Sequence, residues 1–158
     1  MLSWARRQTG LRLHINVTRE LPFERLEALF AESAAEGWHH LSRLREEWQQ
    51  GFNRFDRAGE ALYLASEEER IVALCGLNLD PHVASPRIGR IRRLYVLAAY
   101  RLQDVGRTLV NRAGRDARPS FTELRMRAGR AGAAAFFEAL GFEATTHFAQ
   151  ATHRLLLP

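Results

Sequence analysis

The feature that most constrains the fold is a strand, a tight turn and a helix that follow one another within residues 91–110. The apolar run 94–99 is typical of a buried strand, and Val105, Leu109 and Ala113 then recur at helical spacing. The first N–H groups of such a helix lack partners within the helix, and the helix dipole adds partial positive charge there. The segment therefore predicts a cradle for an anion such as the phosphate of a cofactor.

Two motifs place this segment in a family context. The turn reads Arg101-Leu-Gln-Asp-Val-Gly106, and a later segment reads Ala133-Ala-Ala-Phe-Phe-Glu-Ala-Leu-Gly-Phe142. Together they resemble the central motifs of the GNAT superfamily of acyl-CoA-dependent N-acyltransferases. In that family a strand ending in Leu-Tyr-Val leads into an Arg/Gln-x-x-Gly-x-Gly/Ala loop, and a later helix carries Ala-x-x-Phe-Tyr-x-x-x-Gly-Phe. Either motif alone would be a weak signal, whereas the pair is fairly specific.

The remaining patterns predict a mixed α/β (α+β) chain. Strands are expected at 11–17, 61–66, 70–79, 88–97, 121–126, 143–150 and 152–157, and helices at 21–36, around 41–48, from 105 to before 119, and at 132–140. The resemblance implies a GNAT-like three-layer fold whose central, mostly antiparallel sheet is splayed at the cofactor site. A length of 158 residues fits one domain, residues 1–158.

The resemblance also implies which residues hold acetyl-CoA, the expected cosubstrate. The pantetheine arm would pair with the strand backbone, and an N–H near Val96 would polarise the thioester carbonyl. Arg101 and Arg107 flank the turn and could add charge-assisted bonds to phosphate. The expected cofactor-binding residues are Leu94, Tyr95, Val96, Arg101, Leu102, Gln103, Asp104, Val105, Gly106 and Arg107. No metal is expected, because no third or fourth ligand accompanies His39-His40.

Several positions depart from the family pattern. Asp104 stands where the family usually has Gly, and Leu102 where it often does. We expect the Asp104 carboxylate to cap the following helix, and its charge to weaken coenzyme A binding. The family's acidic Tyr falls at Phe137, and its pantetheine-contacting Asn falls at Arg130.

The sequence therefore leaves the identity of the general acid and the general base undecided. Tyr100, close to the turn, is the candidate general acid, although a surface position is the simpler interpretation. Tyr63 and Tyr95 also retain phenols. Candidate bases are His82, the predicted strand residues His147 and His153, and His39-His40 with Glu36 nearby, a region that lines the acceptor site in the family. A water chain is an equal alternative.

The family's strand carboxylate is replaced by arginine at Arg90 and Arg92, with Arg93 beside them. These side chains either pair with carboxylates across the sheet or bind an acceptor that carries a carboxylate or a phosphate. All 23 basic residues are Arg, and the net charge is +5. This charge suits a polyanion such as coenzyme A, while the dispersed arginines argue against a nucleic-acid-binding module.

Other features concern the setting of the chain. Cys75 lies in an apolar strand and is expected to be a buried, inert thiol. The segment 1–7 lacks the apolar core of a signal peptide, and no apolar run is long enough to cross a bilayer. These observations predict a cytoplasmic protein without membrane contact, and they leave a homodimer open.

The sequence thus predicts an N-acetyltransferase that moves an acetyl group from acetyl-CoA to the primary amine of a small molecule. By the resemblance, the amine attacks the thioester directly in a ternary complex. One alternative acceptor is a protein N-terminus or an aminoacyl-tRNA. The other alternative is a degenerate fold that binds acyl-CoA without catalysis, because the family's Tyr and strand carboxylate are missing.

Overall fold

The computed structural model describes residues 11–158, so the segment 1–7 lies outside the described residues. The strands are β1 (Leu13–Val17), β2 (Ala61–Glu67), β3 (Arg70–Leu79), β4 (Ile88–Val96), β5 (Glu123–Met126), β6 (Glu143–Ala144) and β7 (His153–Leu156). The α-helices are α1 (Glu27–Ala35), α2 (His40–Gln50), α3 (Val105–Ala117) and α4 (Ala131–Ala139), with short 3-10 helices at Glu24–Leu26 and Ala98–Tyr100. The described chain therefore has the predicted order of strands and helices.

The strands form one sheet in the order β1-β2-β3-β4-β5-β7-β6. Every neighbouring pair is antiparallel except β4 and β5, which run parallel. A parallel pair needs a crossover, and α3 supplies it between these two strands. The prediction of a mixed α/β fold with a mostly antiparallel sheet is confirmed.

The pairs along β3 show which layer covers each face of the sheet, since successive side chains alternate between faces. Gly76 lies under the loop that follows α2, where any Cβ would collide with the ring of Phe55. Cys75 and its partner Tyr63 point to the other face, and the Tyr63 hydroxyl donates to Asp116 of α3 at 2.9 Å. We call the side of the sheet covered by α1 and α2 the α1–α2 face, and the side covered by α3 the α3 face. The two helical layers with the sheet between them make a three-layer fold.

The core confirms one prediction and the C-terminal region corrects another. Cys75 is fully buried, and burial raises the pKa of its thiol to about 12. The predicted strand 143–150 is wrong beyond Ala144, so His147 lies in a loop and not on a strand. Its own N–H donates to the Thr145 hydroxyl at 3.2 Å, a local bond that competes with strand pairing.

Candidate active site

The sheet opens where β4 and β5 separate. Their register joins Ile88–Arg90 to Glu123–Arg125, and β4 then continues to Val96 along β3 alone. A bulge in β4 marks this point. Between the pairs Leu74–Tyr95 and Gly76–Arg92, β4 has two residues where β3 has one, and the first of these two, Arg93, adopts φ 60°. Bulges bend a strand and increase its twist. We call the space between β4 and the chain that follows β5 the opening; it is the splay that the resemblance implied.

The backbone of Val96 faces the opening. The Leu97 N–H donates to the Val72 carbonyl at 2.9 Å, which makes Val96 and Ala73 a non-hydrogen-bonded pair. Both polar groups of Val96 therefore point away from β3, into the space that β5 has left. The carbonyl accepts a bond from Arg101 Nε at 3.0 Å, whereas the N–H is directed at the opening. This N–H lies where the resemblance predicts a donor to the thioester carbonyl.

The turn after β4 keeps a glycine-like shape without glycine. Leu102 and Asp104 adopt left-handed backbone conformations, with φ of 61° and 64°. These are the positions where the family often has Gly, which takes this conformation without a steric penalty. A non-glycine residue held there costs about 1–3 kcal/mol. The sequence therefore departs from the family in side chains, while the path of the backbone retains the left-handed turns.

Asp104 occupies the N-cap position of α3, but its carboxylate makes no capping hydrogen bond. The Asp104 carbonyl instead accepts the N–H and the hydroxyl of Thr108, at 2.9 and 2.7 Å. A capping side chain normally reaches its helix from an extended backbone, and Asp104 is left-handed. The prediction of a carboxylate cap is therefore wrong. The first N–H groups of α3 are not covered by this side chain.

A carboxylate from the connection between α1 and α2 holds the turn. Glu36 accepts two hydrogen bonds from the Arg101 guanidinium, at 2.9 and 2.7 Å, and one from the Tyr95 hydroxyl at 2.5 Å. These bonds, led by those from Arg101, lower the pKa of Glu36 to about 2. Burial and then Glu36 raise the pKa of Tyr95. We call this group the Glu36 clamp.

The clamp gives Arg101 partners other than the expected pyrophosphate. Its guanidinium is committed to Glu36 and, through Nε, to the carbonyl of Val96. The sequence analysis missed this role, because Glu36 and Arg101 are 65 residues apart and no local spacing joins them. Arg107 lies exposed in the first turn of α3, and its binding to phosphate stays a prediction.

Helix α4 brings two phenylalanines to the α3 face. A Cβ on Gly106 would lie 3.2 Å from the Phe136 ring and 3.6 Å from Val96, so the bare glycine lets α4 approach the end of β4. Phe137 stands at the family's Tyr position, is 4% exposed, and packs edge-on against Phe136 and Phe142. Its contacts are those of an apolar core residue, and it has no proton to give.

An aromatic group lies on the α1–α2 face at the same end of β4. His40 packs edge-on against Trp38, with ring centres 5.6 Å apart, and lies 6.1 Å from Tyr95. Arg130, at the start of α4, stacks on Trp38 with its Cζ 3.4 Å from the ring centre. This contact joins the α1–α2 connection to the β5–α4 connection, across the opening. Arg130 therefore has a partner unlike that of the family's Asn.

Two polar atoms buried near this group have no hydrogen-bond partner among the described residues: His40 Nε2 and Arg93 Nε. Arg93 also pairs with Glu47 at 3.0 Å. Burial, followed by the charge of Arg93, lowers the pKa of His40, which favours the neutral imidazole. Buried polar atoms normally have partners. The pair is thus suited to a water molecule or a substrate group between the helices and β4.

The candidate acid Tyr100 lies apart from these residues. It ends the 3-10 helix after β4, is partly buried, and its ring faces Arg70 at 5.8 Å. The other two phenols donate to carboxylates, Tyr63 to one on α3 and Tyr95 to the clamp. The structure brings together Tyr95, Arg101 and the turn, and it does not bring Tyr100 into the clamp.

Two of the three strand arginines pair with carboxylates from loops and helices. Arg90 contacts Asp80 at 3.5 Å and donates to the Gln150 carbonyl at 2.6 Å, and Arg93 pairs with Glu47. Arg92 is partly buried and forms no ion pair with any described residue. The expectation of carboxylate pairing therefore holds for Arg90 and Arg93, without the cross-strand geometry, and not for Arg92.

The other candidate histidines are His82, His147 and His153; of these, His153 pairs with Met126, where β5 ends beside the opening, and its Nε2 is buried without a hydrogen-bond partner among the described residues. His82 and His147 are exposed in loops, and His153 is buried with Nδ1 at 2.8 Å from the Thr152 hydroxyl. Within residues 11–158 no three His, Cys, Asp or Glu side chains are grouped as metal ligands. In the same part of the chain, no helix has the length and apolar character needed to span a membrane.

Comparisons with known proteins agree with this geometry. The fold matches a protein from Exiguobacterium sp. 255-15 assigned as an acetyltransferase, with 26% identity and a TM-score of 0.78 over 92% of this chain and 94% of that one. It also matches a GNAT family N-acetyltransferase from Escherichia coli in complex with CoA, with 15% identity and a TM-score of 0.68 over 94% and 83%. A comparison with curated proteins gave no match.

A third similar structure is a ribosomal-protein-alanine N-acetyltransferase from Brucella melitensis, with 19% identity and a TM-score of 0.68 over 91% of this chain and 99% of that one. Below 25% identity such likeness concerns the fold alone. The sequence model of the acetyltransferase (GNAT) family matches residues 23–142, which is most of the chain. The fold, the opening at the end of β4 and this match together show that the chain is an acyltransferase that belongs to the GNAT acetyltransferase family.

Proposed function

We propose that this chain transfers the acetyl group of acetyl-CoA to the primary amine of a small molecule. The observation that carries the proposal is the opening, with the Val96 N–H directed into it and a left-handed turn leading to the start of α3. The GNAT fold binds acetyl-CoA, and one similar structure contains CoA. A backbone N–H and a helix start are groups that bind a carbonyl and a phosphate.

The residues around the opening fit such a cosubstrate. The strand backbone at Leu94, Tyr95 and Val96 would hold the extended arm, and the turn 101–107 would hold the pyrophosphate. Acetyl-CoA supplies a thioester carbonyl, whose oxygen gains negative charge as the amine attacks. In this proposal the Val96 N–H donates to that oxygen, and removing one such donor typically costs about 10²–10³-fold in rate.

The acceptor amine would enter from the α1–α2 face, opposite the packing of α3. An ammonium ion must lose a proton before it attacks. His40 is favoured in its neutral form, and its Nε2 is buried without a described partner. We infer that His40 takes this proton, directly or through one water molecule. The amine then attacks the thioester in a ternary complex, without an acyl-enzyme.

The leaving thiolate also requires a proton. Tyr100 is the proposed donor, because it follows β4 closely and the other two phenols already donate to carboxylates. A change of Tyr100→Phe should lower turnover by about 10²-fold if it is the acid. If the change leaves turnover within about twofold, far below that range, water takes this role and the remainder of the proposal stands.

The Trp38–Arg130 contact supports a small acceptor. The stacked pair joins the α1–α2 connection to the β5–α4 connection beside the opening, and we infer that it narrows the entrance for a polypeptide end or a tRNA end. The similarity to a ribosomal-protein-alanine N-acetyltransferase keeps a protein N-terminus as the second candidate. A chain that binds acetyl-CoA without transfer is the third.

Calorimetric titration with acetyl-CoA and a thiol-release assay over a panel of amines test the proposal. We expect binding at modest salt and thiol release that depends on both substrates. Binding without thiol release from any amine, protein N-terminus or aminoacyl-tRNA would support the non-catalytic alternative. Neither heat nor a thermal shift at millimolar acetyl-CoA would overturn the cofactor assignment itself.

A further inference from the structure

The α1–α2 face beside the opening carries an unusual set of arginines. The β3–β4 register pairs Arg92 with Gly76 and Arg90 with Asn78, and Gly76 lies under Phe55 on this face. Both arginines therefore project towards the α1–α2 layer. The parallel register pairs Arg90 with Arg125, so Arg127, two residues further on, lies beside the same face where β5 ends.

Some of these arginines are neutralised by the protein. Arg90 pairs with Asp80, and Arg93 pairs with Glu47. Arg125 contacts the Glu123 carboxylate and stacks on the Phe148 ring, with Cζ 3.5 Å from its centre. By contrast, none of the ion pairs within residues 11–158 includes Arg43, Arg92 or Arg127.

These three arginines lie close enough to act on their neighbours. Burial and then the charge of Arg92 lower the pKa of Arg93 to about 10; Glu47 opposes this shift, and the charge of Arg43 contributes to it. Burial also lowers the pKa of Arg90. The charge of Asp80 opposes this shift, and the charges of Arg92 and Arg127 add to it. Arg92 thus acts on both Arg90 and Arg93, while Arg127 acts on Arg90 and Arg43 acts on Arg93. The carboxylates on this face include Asp80 and Glu47, which pair with arginines, and Glu60, which accepts a hydrogen bond at 2.9 Å from Asn78 beside Arg90.

A second observation is that a buried guanidinium nitrogen in this region has no hydrogen-bond acceptor in the described part of the chain. The Arg93 side chain is 7% exposed, and its Nε is buried without a hydrogen-bond partner among the described residues. Arg43, Arg92 and Arg127 form no ion pair within the described residues, so this region keeps guanidinium groups that no paired carboxylate neutralises. A guanidinium recognises carboxylate and phosphate through paired, charge-assisted hydrogen bonds. An anion here would relieve the repulsion and give these donors an acceptor.

The phosphates of the cosubstrate do not account for this site. The turn 101–107 that would hold them follows the end of β4 and leads into α3, which packs on the other face. Arg92 belongs to the bulge, upstream of Val96, and projects to the face from which the amine would enter. An anionic group bound here would therefore belong to the acceptor.

We propose that the acceptor is an amine that also carries a carboxylate or a phosphate-type group, bound by Arg92 with Arg43 and Arg127 beside the β4 bulge. This proposal rests on the proposed acetyltransferase function. It assigns a specificity-determining role to Arg92, which would hold the anion while the amine reaches the opening.

Matched amines test the proposal in the thiol-release assay. β-Alanine is compared with β-alaninamide, and 2-aminoethylphosphonate with ethanolamine, so each pair differs in its anionic group. We expect the acid of at least one pair to have a kcat/KM ten times or more that of its neutral partner. A preference for the carboxylate or for the phosphonate identifies the source of the anion.

Variants show whether Arg92 causes that preference. Arg92→Gln should raise KM for the preferred acid at least tenfold, leave kcat within about threefold and leave the neutral amine unchanged; Arg92→Lys should restore part of the preference. Arg115→Gln, an exposed change on α3, is the control and should match the parent chain. Neutral amines used as well as acids, or an equal effect of Arg92→Gln on both members of a pair, would overturn the inference while leaving the acetyltransferase intact. Absence of thiol release from every amine would overturn the function on which it rests.

Discussion

At the end of β4, the two faces of the sheet present different kinds of groups: backbone groups on one face and side chains on the other. On the α3 face the groups that matter belong to the backbone: the Val96 N–H at the opening, the left-handed residues Leu102 and Asp104, and the start of α3. On the α1–α2 face they are charged and aromatic side chains. His40 and Arg93 lie there with buried nitrogens that lack a described partner.

Under the proposed function, this difference follows from what each face would recognise: the cosubstrate on the α3 face and the acceptor on the α1–α2 face. A cosubstrate shared by a whole family can be held by backbone geometry, which tolerates changes of side chain such as Asp for Gly. An acceptor must be distinguished from other amines, and discrimination needs side chains placed for one chemistry. Strand β4 contributes residues to both faces, and its bulge lies next to the opening.

Removing the Val96 N–H should cause the largest effect, because it removes the backbone group of the α3 face at the opening. Val96→Pro deletes this N–H without breaking a bond to β3, since Val96 and Ala73 are a non-hydrogen-bonded pair. We expect kcat to fall by about 10²–10³-fold, the usual cost of losing one such donor. Steady-state kinetics on an identified amine measures this.

The matched control is Val17→Pro. Val17 is also the last residue of its strand, and the Thr18 N–H bond to the Leu62 carbonyl makes its pair with Tyr63 non-hydrogen-bonded. β1 lies at the far edge of the sheet. Equal losses in the two variants would show that proline acts on folding alone, and full activity of Val96→Pro would remove the role of the backbone donor.

His40→Gln tests the side-chain contribution of the α1–α2 face. We expect kcat/KM to fall by about 10²-fold, as for loss of a general base. As the proposed base, His40 would act as the neutral imidazole, and burial with Arg93 lowers its pKa below 6.5. The parent rate should therefore fall as the pH drops below 6.5 and through that pKa, and the variant should lack this decrease.

His39→Gln is the control for that change, because His39 is exposed beside His40. The charge that acts on His40 is that of Arg93, whose partner is Glu47, and Arg130 stacks on the Trp38 ring that His40 contacts; none of these residues changes in either variant. A pH profile identical in the His40 variant and the parent would assign the proton to water.

Glu36→Gln tests the contact between the two faces. The lowered pKa of Glu36 means that its carboxylate stabilises the fold above pH 4.5 and loses this effect as the pH falls towards about 2. The side chain is 29% exposed, so we expect the variant to lose about 1.5 kcal/mol at pH 7, the low end for bonds to a charged group. Urea unfolding at pH 7 and pH 3 should show the difference shrinking in acid, and the exposed Glu46→Gln should show none.

Asp104→Asn should have the smallest effect and sharpens the view of the α3 face. Asn tolerates the left-handed conformation, so the change removes charge and keeps the turn. We expect coenzyme A to bind up to about fivefold more tightly, as for an exposed charge interaction of about 0.2–1 kcal/mol, and the gain to shrink with salt.

Asp104→Gly separates charge from conformation. It should match the affinity of Asp104→Asn and raise the free energy of unfolding, because glycine relieves the strain at φ 64°. The exposed loop change Asp56→Asn is the control for net charge. Weaker binding in both Asp104 variants would give the carboxylate a structural role that its geometry does not show.

The same contrast explains what could be predicted from the sequence. The strand, turn and helix of 91–110 are set by local spacing and by which residues are apolar, so their order was predictable. The predicted strand 143–150 failed because alternation alone did not reveal the Thr145 turn. The predicted Asp104 cap failed because residue type does not report a left-handed backbone.

The α1–α2 face could not be predicted in the same way. The Glu36 clamp joins groups 65 residues apart, and the Trp38–Arg130 contact depends on where two connections meet. Residue types suggested that Arg90, Arg92 and Arg93 either pair with carboxylates or bind an acceptor. Only their surroundings show that two have carboxylates and that Arg92 has none among the described residues.

The Glu36 clamp has a thermodynamic consequence for the order of events on the protein. Glu36 belongs to the connection that carries Trp38, and Arg101 belongs to the turn that leads into α3. Any molecule that displaces one partner changes the free energy available to the other, and such coupling acts equally in both directions. An acceptor that moves the α1–α2 connection would alter the affinity for coenzyme A by the same factor by which coenzyme A alters the affinity for that acceptor.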